Sequence, residues 1–211
     1  MKERMTNAVF TIGHSTHALA RFIALLQKHG MTAIGDVRSK PYSRMNPQFN
    51  REELKAALRE HGIAYVFLGK ELGARSEDAS CYQNGKVQYD RLAETELFQL
   101  GIKRVREGAA KYRIALMCAE KEPLECHRAI LVARHIVSIG FEIQHILGDG
   151  RLEGHAEALG RLVRQLHLPE SDMFSAQQEV FQEAYRLQGD KIAFRKEEPA
   201  LVPEMARSAG R

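Results

Sequence analysis

The segment of the chain best suited to chemistry contains two of its three cysteines. Cys118 ends a short apolar stretch, and Cys126 is followed directly by His127 and Arg128, where a helix is predicted to begin. A thiol at a helix N-terminus lies at the positive end of the helix dipole, and neighbouring cations lower its pKa further. The free backbone N–H groups of such a terminus can also bind an anion. Glu120 lies between the two cysteines and is a candidate proton carrier.

Three interpretations of this segment remain open. In the first, Cys118 or Cys126 is a nucleophilic or redox-active thiolate, and Glu120 or a histidine moves protons. In the second, both cysteines bind a metal together with His14 or His127, and zinc suits such soft ligands. In the third, the cysteines are small buried residues that fill space where a strand meets a helix.

The spacing of the cysteines excludes some familiar motifs. Seven residues separate Cys118 from Cys126, which is neither a Cys-x-x-Cys redox pair nor a usual zinc knuckle. A phosphatase-like loop would require an arginine six residues after its cysteine, and Leu124 occupies that position after Cys118. The segment therefore matches no standard thiol motif.

Further polar candidates follow the first three predicted strands. They are His14 and Ser15 after the first strand, Asp36, Arg38 and Ser43 after the second, and Glu71 and Arg75 after the third. His14 is a candidate general base because histidine titrates near neutral pH. Arg38 can grip a phosphate or carboxylate through its planar fork, and Asp36 can orient it. The plainer alternative for His14 is an ordinary loop histidine beside a helix cap that includes Ser15. The plainer alternative for Asp36 and Arg38 is an ordinary ion pair in a loop.

Strands and helices alternate along the chain. Short apolar runs predict strands at 9–12, 32–37, 63–68, 114–117 and 141–147. Helical spacing predicts helices at 18–29, after Asn50 with Glu53 in the capping-box position, between Leu92 and Val105, and at 129–139, 155–166 and 174–187. This alternation predicts an α/β fold with a mostly parallel sheet covered by helices on both faces. Because ligands bind beyond the carboxyl ends of such strands, we expect the polar candidates to share one pocket.

The predicted organisation is one α/β domain, 1–168, followed by an extension, 169–211. The extension carries one helix and then a tail rich in small residues, from about 197, that we expect to be disordered. A long connection rich in Gly, Ser and Asn spans about 69–88, and connections of that length are usually functional or mobile.

Bulk properties narrow the class of protein. The 211 residues contain no apolar run of about eighteen, and the start of the chain lacks the pattern of a secretory signal, so we expect a cytoplasmic protein. Three cysteines are too few for a disulfide scaffold. The formal net charge of +4 slightly favours anionic partners, although an ordinary basic surface gives the same value. An aromatic content of 7% without tryptophan favours a small ligand over nucleic acid.

Four ordered motifs resemble a known prokaryotic family, the one designated domain of unknown function 488. The motifs are Ile12-Gly13-His14-Ser15, Asp36-Val37-Arg38-Ser39, Leu68-Gly69-Lys70-Glu71-Leu72-Gly73-Ala74-Arg75, and Cys118-Ala119-Glu120 with Cys126-His127-Arg128. The resemblance runs from about 10 to 166. It implies a Rossmann-like α/β fold with a shared pocket, and it implies no particular reaction.

The resulting prediction is an enzyme, of hydrolase or transferase type, that acts on a nucleotide, nucleic acid or another anionic or phosphorylated small molecule. Arg38, Arg75 and Arg128 would bind the anion, while His14, Glu120 and a cysteine would carry out the chemistry. One alternative is a non-catalytic nucleotide- or nucleic-acid-binding or sensing module. The other is a zinc-stabilised interaction protein. No cofactor besides a possible zinc ion is predicted, and the oligomeric state stays open.

Overall fold

A computed structural model describes residues 8–169 and 174–196. The strands are β1 (Ala8–Gly13), β2 (Ala33–Asp36), β3 (Ala64–Phe67), β4 (Tyr82–Gln83), β5 (Lys86–Val87), β6 (Ile114–Cys118), β7 (Glu142–Ile146) and β8 (Leu152–Gly154). The α-helices are α1 (Leu19–Lys28), α2 (Arg51–Glu60), α3 (Gly69–Leu72), α4 (Tyr89–Glu94), α5 (Glu96–Ala109), α6 (Arg134–Ser138), α7 (His155–Gln165) and α8 (Phe174–Ile192).

Six strands form one sheet in the order β3-β2-β6-β1-β7-β8. All neighbours pair in parallel except β7 and β8, which form an antiparallel edge. Helices α1 and α2 cover one face, and α5, α6 and the segment before α6 cover the other. The predicted α/β fold with a mostly parallel sheet is therefore confirmed, and β1 and β6 lie side by side at its centre.

The apolar spacing of α1 explains how one face of the sheet is covered. Phe22, Leu25 and Leu26 recur at helical intervals and are fully buried against the sheet. The chain then turns at Gly30, whose φ of 64° lies in the left-handed region that glycine adopts without strain. This turn returns the chain to β2, the strand that ends at the candidate site.

Two local predictions are corrected by the structure. Asn50 precedes α2, but its side chain makes no capping bond; its Oδ1 instead accepts a hydrogen bond from the Ser43 backbone N–H at 2.7 Å. The connection 69–88 is not a bare loop, because it contains α3, a 3₁₀ turn at Ala79–Cys81 and the β4–β5 hairpin. Cys81 is buried in the core there.

The C-terminal half also differs in detail from the prediction. The helix predicted at 129–139 begins as a π-helical segment, Arg128–Ala133, before it continues as α6. Such segments occur often at functional sites. The edge strand β8 was not predicted, and α8 extends to Ile192, beyond the predicted end at 187. The tail expected to be disordered, from 197 onward, lies outside the described residues. None of the helices described is long and apolar enough to cross a membrane.

Candidate functional site

The carboxyl ends of the parallel strands open onto a cavity of about 660 Å³. Its volume lies within the range of about 300–1,000 Å³ that is common for small-molecule sites. The lining residues are His14, Ser15, Thr16, Arg38, Ser39, Lys40, Tyr42, Ser43, Asn46, Ala74, Arg75, Tyr89, Cys118, Ala119, Glu120, Lys121, Glu125, Cys126, His127, Ile192 and Phe194. The segments that follow β1, β2, β3 and β6 thus meet at one place, as do residues from the end of α8 and beyond.

One side of the cavity is formed by what we call the thiol cluster: Cys118, Cys126, Glu120 and His127. Cys118 is the last residue of β6, and Cys126 directly precedes His127 at the start of the π-helical segment. The Oε2 atom of Glu120 lies 3.0 Å from the Sγ atom of each cysteine. Both cysteines are buried and not bonded to each other as a disulfide. One carboxylate can therefore exchange a proton with either thiol.

His127 is held in one orientation. Its Nε2 atom lies 3.0 Å from the carbonyl oxygen of Val37, and because a carbonyl only accepts, Nε2 carries the proton. The other ring nitrogen, Nδ1, lies 3.8 Å from the Sγ of Cys118 and 3.9 Å from the Sγ of Cys126. The imidazole therefore presents Nδ1 to both thiols.

The two cysteines differ in their acidity. Burial by itself would raise the pKa of Cys126, but the hydrogen bond from Cys118 and the positive charge of Arg128 outweigh it, and that pKa lies well below the ordinary value. The pKa of Cys118 is raised by its hydrogen bond with Cys126 and by burial. Burial lowers the pKa of His127, yet its hydrogen bond to Cys126 raises it overall. Of the two thiols, Cys126 therefore has the lower pKa.

The same atoms form a group that could hold a metal ion. The Sγ atoms of Cys118 and Cys126 and the Nδ1 atom of His127 all lie within 4.8 Å of one another. In metal-binding histidines the second ring nitrogen commonly donates to a carbonyl or carboxylate, as Nε2 of His127 does to Val37. Three protein ligands would leave a fourth position for another molecule.

A second network surrounds Asp36, which is fully buried beside the cavity. Its carboxylate accepts hydrogen bonds from Arg38 Nε at 2.9 Å, from Arg38 NH2 at 2.7 Å and from the Tyr65 hydroxyl at 2.7 Å. Arg38 NH2 also donates to the carbonyl oxygen of Phe49 at 2.8 Å. Most donors of Arg38 are therefore used within the protein, and the carboxylate of Asp36 accepts two of the hydrogen bonds from its guanidinium.

His14 lines the cavity in a neutral state. Its Nδ1 donates to the carbonyl oxygen of Ser15 at 2.8 Å, and its Nε2 accepts from Arg38 NH1 at 3.2 Å. Burial, which outweighs the hydrogen bond to Ser15, lowers the pKa of His14 to about 4. The ring also stacks on Phe49, with centroids 4.3 Å apart. In this arrangement both ring nitrogens are occupied, so His14 holds Arg38 in place rather than standing ready to accept a proton.

Arg128 lies beneath the cavity and does not line it. The side chain is 1% exposed, with NH1 donating to the carbonyl oxygen of Glu120 at 2.7 Å and NH2 to that of Lys121 at 3.1 Å. It thereby fixes the turn that carries Glu120. Gly13 is required beside this turn, because a Cβ atom there would lie 1.9 Å from the Glu120 carbonyl oxygen.

Of the remaining predicted site residues, three line the cavity and one does not. Ser15, Ser43 and Arg75 line the cavity. Glu71 does not; it pairs with Arg104 and lines a neighbouring cleft instead.

Twelve lining residues were not among the predicted site residues: Thr16, Ser39, Lys40, Tyr42, Asn46, Ala74, Tyr89, Ala119, Lys121, Glu125, Ile192 and Phe194. Lys40 and Lys121 directly follow two of the motifs quoted above, which were noticed for their other residues. Nothing local to Ile192 or Phe194 indicates that the chain returns to the site.

The cavity carries an excess of positive charge. Among its lining cations, Lys40, Arg75 and Lys121 form no ion pair with any residue in 8–169 or 174–196, whereas Arg38 is paired with Asp36. We call these three the cavity cations. Of the two lining carboxylates, Glu125 pairs with Lys191 and Glu120 belongs to the thiol cluster. Such a surface attracts anions.

Fold and site together define an α/β protein with a polar, thiol-containing cavity at the carboxyl ends of its parallel strands. The chain belongs to the family described as domain of unknown function DUF488, whose model matches residues 18–135, and the resemblance seen in the sequence is thereby confirmed. Comparisons with curated proteins and with solved structures found no match.

Proposed function

We propose that the protein is a cytoplasmic enzyme that acts on a nucleotide or another phosphorylated, anionic small molecule. This proposal rests on one observation: the thiol cluster and the three cavity cations line the same cavity. Reactive groups and anion-binding groups are needed side by side when an anionic substrate is transformed. Reducing conditions in the cytoplasm would keep the cysteines free, as they are here.

The charge balance of the cavity supports an anionic substrate. A ligand phosphate would meet Lys40, Arg75 and Lys121, none of which is neutralised by a carboxylate among the described residues. Arg38 and Arg128 act indirectly, since the first holds His14 and the second holds the turn of Glu120. The cavity cations are therefore the direct contacts in this proposal.

The thiol cluster supplies the chemistry. Cys126 acts as the nucleophile, because Cys118, Arg128 and His127 all favour its thiolate. Glu120, at 3.0 Å from both sulfur atoms, carries the proton to or from the reacting group.

Turnover by a Glu120→Gln variant tests the proposal. The full chain is incubated with a panel of nucleotides and phosphorylated sugars, and products are followed by mass spectrometry. We expect Glu120→Gln to keep the fold and to lower turnover at least 100-fold, in line with the loss of a general acid–base group. Glu125→Gln is the matched control, because Glu125 lines the same cavity outside the thiol cluster, and its turnover should change less than threefold. Binding without turnover by the wild type would instead indicate a sensing module.

The arrangement of Cys118, Cys126 and His127 favours a second candidate, a zinc-dependent enzyme. Soft sulfur and imidazole ligands suit zinc, and three protein ligands are typical of catalytic zinc sites. When bound, zinc would activate water or polarise the substrate. The two candidates are mutually exclusive at Cys126, because a sulfur atom bound to zinc is not free to attack.

Metal analysis separates the two candidates. The zinc-dependent enzyme predicts one zinc per chain in the purified protein or after reconstitution, and loss of that zinc in Cys118→Ser. Cys81→Ser serves as the control, because Cys81 is equally buried but lies outside the group. A chain that binds no zinc after reconstitution would eliminate this candidate and leave the thiolate enzyme.

A further inference from the structure

The cavity is completed by the last residue of α8 and the segment that follows it. Ile192 and Phe194 line it, although they lie far beyond residue 135, where the match to the family model ends. We call these two residues the C-terminal wall. Except for this wall and Tyr42, Tyr89 and Ala74, the cavity is lined mainly by polar groups. The wall is therefore a feature that the family region alone does not provide.

Backbone hydrogen bonds hold the C-terminal wall in place. The carbonyl oxygen of Phe194 accepts from the Val87 N–H at 2.9 Å, and the Lys196 N–H donates to the carbonyl oxygen of Gly85 at 2.8 Å. Lys86 and Arg195 form an antiparallel bridge between these bonds. The segment thus pairs with β5 and adds a third extended stretch of chain to the β4–β5 hairpin.

Side chains anchor α8 just before the wall. Gln188 donates from Nε2 to the carbonyl oxygen of Leu124 at 2.8 Å, and Asp190 pairs with Lys86. Gly189 lies so close to Tyr89 that a Cβ there would be 3.3 Å from its ring. Helix α8 therefore packs directly on an aromatic residue that itself lines the cavity.

One cavity cation touches the wall directly. The guanidinium of Arg75 lies over the ring of Phe194, 4.5 Å from its centroid, and the Arg75 backbone N–H donates to Ser39 Oγ at 3.0 Å. Arg75 is thereby fixed where the aromatic surface of Phe194 adjoins the cationic part of the cavity. A ligand that contacts Arg75 would have an aromatic side chain next to it.

We propose that Phe194, with Ile192 and Tyr89, forms a subsite for the planar ring of the substrate, so that the substrate is a nucleoside monophosphate rather than a bare or sugar phosphate. This inference rests on the proposed function, because it requires that the cavity cations bind the phosphate. A cavity of about 660 Å³ is far larger than a phosphate group needs. A nucleobase stacks on aromatic side chains without requiring a particular sequence of hydrogen bonds.

Calorimetric titration of the full chain tests the subsite. The probes are adenosine 5′-monophosphate, ribose 5-phosphate, which lacks the ring, and inorganic phosphate. We expect the nucleotide to bind at least tenfold more tightly than ribose 5-phosphate, as one aromatic stacking contact provides. Phe194→Ala should remove this preference, because the nucleotide should lose more affinity than ribose 5-phosphate, which contacts Phe194 only through Arg75. Phe181→Ala is the matched control, because Phe181 lies in α8 and packs in another hydrophobic cluster. This variant should leave all three affinities unchanged.

The remaining outcomes separate the two proposals. Equal binding of all three probes by the wild type, or an equal loss for all three in Phe194→Ala, would overturn the subsite while the anion site stands. Lys40→Ala should weaken all three probes alike, which identifies the phosphate as the common contact. If no probe binds to the wild type, the proposed function itself is overturned, and the subsite with it.

Discussion

The imidazole of His127 donates a hydrogen bond from Nε2 to the carbonyl oxygen of Val37 at 3.0 Å. This bond links the segment that carries Cys126 to the end of β2, and it turns Nδ1 toward both thiols. The orientation serves either candidate function, because Nδ1 can stabilise a thiolate or bind a metal. The sheet thus positions the thiol cluster through a backbone atom rather than through another side chain.

Breaking the pair of Asp36 and Arg38 is expected to destabilise the protein strongly. Asp36→Asn removes the charge that compensates the guanidinium of Arg38, a residue with only 5% of its surface exposed, and such a loss costs about 3–5 kcal/mol in comparable buried pairs. Tyr65→Phe removes a single hydrogen bond to the same carboxylate and should cost about 1–2 kcal/mol. Urea unfolding measures both values, and equal effects of the two changes would contradict this account.

Loss of Arg128 should be destabilising through its backbone partners. Arg128→Met leaves the carbonyl groups of Glu120 and Lys121 without their donor, and the free energy of unfolding should fall by about 2 kcal/mol or more. Arg106→Met, on the exposed side of α5, is the control and should stay within about 0.5 kcal/mol of the wild type. Similar values for the two variants would show that Arg128 does not support the turn.

Gly13 gives a steric test of the same turn. In Gly13→Ala the new Cβ would lie 1.9 Å from a backbone oxygen of Glu120, so the turn must move and displace Glu120 from the thiols. We expect turnover to fall at least tenfold even where the variant remains folded. Gly160→Ala in α7 has its nearest neighbour at 3.8 Å and should be neutral or stabilising by up to about 1 kcal/mol. Wild-type turnover in Gly13→Ala would contradict this prediction.

A buried chain of hydrogen bonds connects the sheet to α8. His145 Nδ1 lies 2.7 Å from Thr11 Oγ1, His145 Nε2 lies 2.9 Å from His155 Nδ1, and His155 Nε2 lies 2.7 Å from the Tyr185 hydroxyl. The bond between His145 Nε2 and His155 Nδ1 has room for only one proton, so the two imidazoles cannot both be protonated. Burial lowers the pKa of His155 to about 4 and the pKa of His145 well below its ordinary value.

These hydrogen-bonded histidines predict that the folded protein loses stability as the pH falls from 6.5 to about 4. Because the folded-state pKa of His155 lies below that of the unfolded chain, the unfolded chain binds more protons in this window, and acid favours unfolding. Stability should be complete above pH 6.5 and fall by up to about 1.4 kcal/mol per pH unit for each such histidine. His155→Gln should show a shallower slope in urea unfolding, whereas His61→Gln, at an exposed position, should keep the wild-type slope. Identical slopes for all three proteins would refute this prediction.

The sequence predicted the sheet well because its strands are nearly continuous apolar runs. The central strand β6, for example, is buried along its whole length, so its composition alone identifies it. The edge strand β8 is short and only partly buried, with Leu152 exposed, and this mixed pattern gives no clear period. Edge elements of this kind depend on tertiary pairing that local patterns do not encode.

The site was predictable only in part, for a related reason. The thiol cluster lies within one short segment of the chain, so Cys118, Glu120, Cys126 and His127 could be grouped from their residue types and their proximity in the sequence. The state of His14 was not predictable, because its pKa depends on burial and on a bond from Arg38. Phe194 reaches the cavity only through its pairing with the β4–β5 hairpin, which is a contact between distant parts of the chain.

The most direct test of the central claim is protection of the thiol cluster by ligand. Alkylation of each cysteine is followed by mass spectrometry with and without a panel of nucleotides and phosphorylated sugars. We predict that Cys126 reacts faster than Cys81, which is buried away from the cavity, and that at least one anionic ligand slows labelling of Cys126 tenfold or more. Labelling of Cys126 that is as slow as that of Cys81, and unchanged by every ligand, would contradict an anionic substrate bound over the thiol cluster.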